Sequence, residues 1–176
     1  MNFLFLGLAG LAGVFFFASR EADAGESSSP ADDLDGGAMS DWTKFDSLFK
    51  KYGSINGVPW EWLKAFCIVE SDLGNDPLVV NHQLSRDGKS KGIMQLILST
   101  ANDYKPGVTL DDLDDPELSV DLASQHVGML IRLFGQDEQA VVMSYNEGQG
   151  NYKKGVMDWD YFNKWQTALN KVKGNV

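Results

Sequence analysis

The sequence predicts a mainly α single domain, α+β with minimal β, preceded by one transmembrane helix. Three observations predict it. From Trp42 onward, apolar residues recur at the three-and-four spacing of a helix face, segment after segment. No Val- or Ile-rich run alternates for long enough to build a sheet. Residues 3–18 are apolar and carry no charge.

The first segment, 1–20, reads as a membrane anchor. Its apolar run lies near the short limit for a spanning helix, about 17 residues. Ala22-Asp23-Ala24 resembles a small-x-small cleavage site, so a signal peptide is the competing reading. No Lys or Arg precedes the run, and the run exceeds a usual signal core of about 7–15 residues. Both points favour an uncleaved anchor. Arg20 stands on the domain side and, by the positive-inside tendency, opposes export. Residues 21–40 read as a flexible acidic linker with little to bury, of about 25 Å r.m.s. span and about 70 Å full reach.

Residues 41–176 form the predicted domain. Trp42, Phe45, Leu48 and Phe49 share a helical face that should end before Gly53. Pro59 suits the first turn of the next helix, which runs to Glu70. Gly74 to Lys91 is loop-like, with room for a small strand pair. Ile93 to Tyr104 returns to helical character. Pro116 opens a long helix stopped by Gly135. Asp137 can cap a helix from Gln139 to Tyr145, and Asp158 or Asp160 a last one through Phe162, Trp165 and Leu169.

Composition narrows the function. The 176 residues carry a net charge of -10, which argues against a nucleic-acid partner. Sugar recognition, by hydrogen bonds and stacking, stays open, and the chain has five Trp and ten Phe. The single cysteine, Cys67, lies inside an apolar helix and reads as core. Two distant histidines and one cysteine give no zinc spacing. The acidic run from Asp111 lacks the pattern of a calcium loop. No phosphate-binding or dinucleotide loop occurs. The sequence thus predicts no metal and no cofactor.

Glu70 is the candidate catalytic residue. It closes the stretch Trp60 to Val69, so its carboxyl is poorly solvated and near the negative end of a helix dipole. Both effects raise a carboxyl pKa. An acid still protonated near neutrality is the proton donor that glycosidic cleavage needs. Taken alone, a glutamate at a helix end is most often idle surface.

Glu70-Ser71, Gly92-Ile93-Met94-Gln95 and Ser144-Tyr145-Asn146-Glu147-Gly148, in that order, resemble the soluble lytic transglycosylase domain, which has the lysozyme-like fold. Thr100-Ala101 and Asp114-Asp115-Pro116 fit as well, and the resemblance runs from about Pro59 to Tyr152. It implies cleavage of the β-1,4 bond between N-acetylmuramic acid and N-acetylglucosamine in peptidoglycan glycan strands. The muramyl C6 hydroxyl then closes a 1,6-anhydro ring without water, and the 2-acetamido group assists. Carried over, Glu70 is the acid and then the base. Ser71, Met94, Gln95, Tyr145 and Asn146 are substrate-binding, with Ser71 helping to hold the acid. The implied site lies outside the cytoplasm, held to the membrane through residues 3–18, beside envelope-complex or virion proteins.

The chain departs from the family pattern in three places. The stretch Glu70 to Pro77 is longer than usual, Ser144 replaces the common alanine, and Glu147 occupies a usually small position. Two rivals remain at this point. A hydrolytic muramidase of the goose-type lysozyme kind needs a second carboxylate, with Asp72, Asp76, Asp87 and Glu147 as candidates. A non-catalytic peptidoglycan-binding assembly component needs no acid.

Overall fold

A computed structural model describes residues 42–174. The anchor and the linker read from the sequence lie outside the described residues. Among the described residues no helix is long and apolar enough to cross a membrane.

Eight helices and one two-stranded hairpin make up the described chain. Helix α1 (Asp46–Asn56) packs against helix α2 (Trp60–Ser71). A one-turn helix, α3 (Pro77–Val80), follows in the loop. Strands β1 (Ser90–Lys91) and β2 (Leu96–Ile97) pair antiparallel, with Ser90 opposite Ile97. Then come α4 (Leu98–Tyr104), a 3-10 turn (Asp111–Asp114), α5 (Pro116–Phe134), α6 (Glu138–Glu147), the short α7 (Gln149–Tyr152) and α8 (Trp159–Val172). A mainly helical domain with minimal strand is what the residue pattern predicts.

Two elements differ from expectation. Helix α1 runs through Gly53 and ends at Gly57, whose φ of 69° makes the left-handed cap. Gly53 is there for close approach: a Cβ would stand 2.7 Å from the Val58 carbonyl oxygen. The stretch after Ile93 is first hairpin and only then helix. Gly92 (φ 79°) and Gln95 (φ 45°) adopt left-handed backbone, which no helix accommodates. The caps follow the sequence. Asp115 accepts from Glu117 N–H, Asp137 from Ala140 N–H and Asp158 from Tyr161 N–H.

Helix α2 is the centre of the core. Its Trp62, Leu63, Phe66 and Cys67 are buried with Trp165 of α8 and Val142 and Met143 of α6. Trp62 meets Trp165 edge-on at 5.5 Å, and Phe66 meets it at 5.4 Å. Cys67 is a free, buried thiol whose pKa burial pushes up to about 12, so it packs as a small apolar group. Lys64 is buried too, paired with Asp46 at 2.7 Å and lying over Trp42 at 4.5 Å. Lys171 covers Trp42 as well, at 4.7 Å. This cluster joins the start of the described chain to the last helix.

The hairpin is pinned from below. Lys91 is buried and bonds Asp111 (2.7 Å) and Asp114 (2.9 Å) of the 3-10 turn. The Ser119 hydroxyl of α5 accepts from Met94 N–H at 3.3 Å. At Gly92 a Cβ would stand 2.0 Å from the Leu113 carbonyl oxygen. Gly92→Ala is therefore expected to cost about 2–5 kcal/mol, from left-handed strain plus overlap, measured by urea unfolding.

Candidate active site

The site is built where α2, the hairpin, α6 and α8 meet. Glu70 ends the apolar face of α2 one turn beyond Phe66. The residue is half-buried, and protein atoms crowd its carboxyl. The Tyr161 hydroxyl of α8 donates to Glu70 Oε1. Desolvation raises the Glu70 pKa from 4.5 to about 7, and the Tyr161 hydrogen bond opposes that rise only in part. The acid is thus half-protonated near neutrality. Burial and the Glu70 charge together push the Tyr161 hydroxyl well above the usual tyrosine range, so it stays a donor.

Ser71 is only 2 % exposed, and its hydroxyl is fully engaged by protein. Its single O–H has Ile93 O at 2.7 Å as the nearer acceptor and Cys67 O at 3.1 Å as the farther one, and its oxygen accepts from Gly74 N–H at 2.9 Å. The serine after the acid thereby joins the end of α2 to the Gly92–Gln95 turn. Asp72 (φ 49°) and Leu73 (φ 53°) follow in left-handed backbone, so the chain turns sharply away behind Ser71.

Met94 is wholly buried, and what it offers the site is its backbone. The Tyr145 hydroxyl donates to Met94 O at 2.8 Å. The Tyr145 ring lies 4.3 Å from Phe66 and 5.7 Å from His126. Gln95 is half-buried with both ends of its amide held: Nε2 donates to Gly92 O (2.8 Å) and Oε1 accepts from Ser90 Oγ (3.1 Å). His126 bonds the Tyr104 hydroxyl at 3.0 Å, and burial lowers its pKa to about 4. It is a neutral packing group.

Asn146 is exposed at the end of α6. Its Nδ2 donates to Glu147 Oε1 at 3.3 Å and to Asp158 Oδ2 at 3.4 Å. The other Asp158 oxygen accepts from Tyr161 N–H at 2.9 Å. Neither Gln95 nor Asn146 bonds Glu70 directly. Asn146 reaches it through Asp158 and Tyr161, and Gln95 through the turn held by Ser71 and Tyr145. A separate hollow bordered by Lys44, Phe45, Val79, His82, Ile93 and Pro116 contains none of these groups.

A family model described as the transglycosylase SLT domain matches residues 47–166. The chain belongs to that family. The matched span exceeds the stretch Pro59 to Tyr152 at both ends and takes in Asp158 and Tyr161. Peptidoglycan transglycosylase gp16 of Escherichia phage T7 is 31% identical over 109 residues, 60% of this chain and 8% of the phage protein. The chain therefore spans under a tenth of that relative's length. No solved structure gives a significant match.

Tyr161 was not among the residues the sequence singled out, and Asp158 was read only as a helix cap. A signal for Tyr161 existed. It stands one turn before the buried Trp165 on the same face of α8, where a phenol must find a hydrogen-bond partner. Glu147 was named as a candidate second carboxylate, and its pKa is raised by burial first and by Asp158 second.

The Glu70 carboxyl makes the stability of the SLT domain depend on pH. The free carboxyl ionises near 4.5, whereas the folded one does so at about 7. Between these values the unfolded chain has lost a proton that the fold retains, so stability falls as pH rises and levels off above the folded value. Glu70→Gln removes the effect. The variant should exceed the parent by about 1–3 kcal/mol at about pH 8, a gap closing at about pH 4, in urea titrations at both values.

Proposed function

We propose that the domain cleaves the glycosidic bond between N-acetylmuramic acid and N-acetylglucosamine, leaving a 1,6-anhydromuramyl end. The observation that carries this reading is the Glu70 carboxyl, crowded by protein, held by one phenol, and raised to a pKa of about 7. A proton retained to that pH is available to a leaving sugar oxygen.

The reaction balances with one carboxyl. Glu70 gives its proton to the bridging oxygen as the bond from that oxygen to C1 breaks, and the 2-acetamido oxygen supports C1. The C6 hydroxyl oxygen then bonds C1, and its proton returns to Glu70. Water is neither consumed nor activated. Two-carboxylate hydrolysis requires a second group across the cleft. The match to a transglycosylase domain supports the single-carboxyl route over the goose-type hydrolytic one.

The residues around the acid divide by what their atoms are free to do. Asn146 is the exposed, substrate-facing amide, and Gln95 keeps one N–H and one lone pair beyond its two protein hydrogen bonds to meet hydroxyl and acetamido groups. Tyr145 and Met94 build the wall beside the acid, one through its ring and the other through its carbonyl. Ser71 acts from beneath, holding the turn that carries Gln95 against the helix that carries Glu70.

The relative is a phage peptidoglycan transglycosylase, which supports wall opening in a phage setting. A bacterial envelope machine is the other setting with the same chemistry. The charge-free run 3–18 would tether the domain near the wall from the membrane, with the catalytic domain outside the cytoplasm. It lies outside the described residues.

Three measurements test this reading. Glu70→Gln should lower the rate of cell-wall lysis by at least about a hundredfold. Mass spectrometry of the digest should show muramyl ends lighter by one water than hydrolytic ends, and reducing muramic acid alone would overturn the lyase assignment. Tyr161→Phe removes the hydrogen bond that favours ionised Glu70. It should shift the alkaline limb of the pH profile upward while lowering kcat by about tenfold or more.

A further inference from the structure

The structure holds the Asn146 amide in an unusual way. Both of its hydrogen bonds among the described residues leave from Nδ2, and both end on carboxyl oxygens, Glu147 Oε1 and Asp158 Oδ2. Amide nitrogen donates and carboxylate oxygen accepts. Turning the amide over would set its carbonyl oxygen against two acidic groups. The two carboxyls come from different elements, one from the last residue of α6 and one from the cap of α8. With Nδ2 committed to the two carboxyls, Oδ1 is the amide atom of the exposed Asn146 left without a hydrogen bond among the described residues.

We infer that Glu147 and Asp158 are positioning residues that lock Asn146 as a hydrogen-bond acceptor toward the substrate, reading a donor on the aminosugar. This rests on the proposed lytic function and on Asn146 facing the sugar. The donor is an acetamido N–H or a ring hydroxyl. The sequence supports a dedicated arrangement, because a glutamate stands directly after Asn146 where the family pattern has a small residue. Asp158 contributes twice. One oxygen orients Asn146, and the other accepts the Tyr161 N–H at the start of the helix that presents the Tyr161 hydroxyl to Glu70. A single side chain thereby sets the spacing between the amide that reads the sugar and the phenol that holds the acid.

A polarity swap tests the inference. Glu147→Gln with Asp158→Asn leaves the shapes and the helix cap in place, since Asn caps about as well as Asp. It removes both fixed acceptors and frees the Asn146 amide to turn over. KM for peptidoglycan strands should rise about tenfold while kcat changes less, the loss of one oriented hydrogen bond. Asn146→Asp alone should be weaker still, with a third carboxyl facing two others. The decisive protein combines all three substitutions. Two amides then donate to a carboxylate at position 146, and its second oxygen again presents an acceptor outward. Recovery to within about threefold of the parent KM is expected, a residue of less than 1 kcal/mol.

The inference is overturned if the double variant matches the parent, or if the triple variant is no better than Asn146→Asp. A merely structural role for the two carboxyls would show as a lowered unfolding midpoint without rescue in the triple variant. Binding of N-acetylglucosamine oligomers and of their 2-O-acetyl ester analogues, which lack the N–H, separates the two donors. Preference for the amide in the parent, lost in the double variant, assigns the acetamido N–H. Equal binding with the same KM pattern assigns a hydroxyl. Glu70→Gln in the same lysis assay keeps the parent reading apart. An inert Glu70→Gln beside an unaffected double variant sinks this inference alone, whereas a lytic Glu70→Gln sinks the reading beneath it.

Discussion

The hydrogen bond from Tyr161 to Glu70 joins the last helix to the helix at the centre of the core, and the site depends on it. A carboxyl so surrounded loses most of its water, which favours its neutral form. A cation or several donors beside it would restore the charged form and drain its acidity at neutral pH. One phenol does less. It holds the carboxyl in place, lowers its pKa only in part, and leaves it near 7. The same contact requires α8 to lie against α2, which the packing of Trp165 on Trp62 and Phe66 secures.

The hairpin beside the acid has only two residues per strand, too few to be stable as a sheet. Side chains bound to its backbone hold it instead. Ser71 bonds Ile93 O, Tyr145 bonds Met94 O, and Ser119 accepts from Met94 N–H. Each pin comes from a different helix, so the turn carrying Gln95 is located by the whole core. Gly92 permits this by letting the Leu113 carbonyl sit where a side chain would begin. Buried polar groups here satisfy backbone that a longer sheet would have satisfied.

The opposite side of the acid is organised by charge. Asn146 is drawn toward Glu147 and Asp158, and Asp158 also caps α8. The net charge of -10 is thus more than a general surface property at this point. Two acidic residues hold a neutral amide there.

Much of the architecture could be read from residue order because helix signals are local. Pro59, Pro116, Gly135, Asp137 and Asp158 act on their own turn of chain, and the helices begin or end beside them. Glu70 was legible for the same reason: an apolar run ending in a carboxyl implies poor solvation wherever the helix packs. Gly53 and the stretch after Ile93 misled, since a glycine reads as a stop and an apolar stretch as a helix until the approach of Val58 and Leu113 is known. Tyr161 stands 91 residues from Glu70 in the chain, and no local spacing links them. The engagement of Ser71, the burial of Met94 and the direction of the Asn146 amide likewise arise from groups far apart in sequence. Local chemistry specified the helices and named the acid. Long-range packing chose its partner, its depth and therefore the pH at which it gives up a proton.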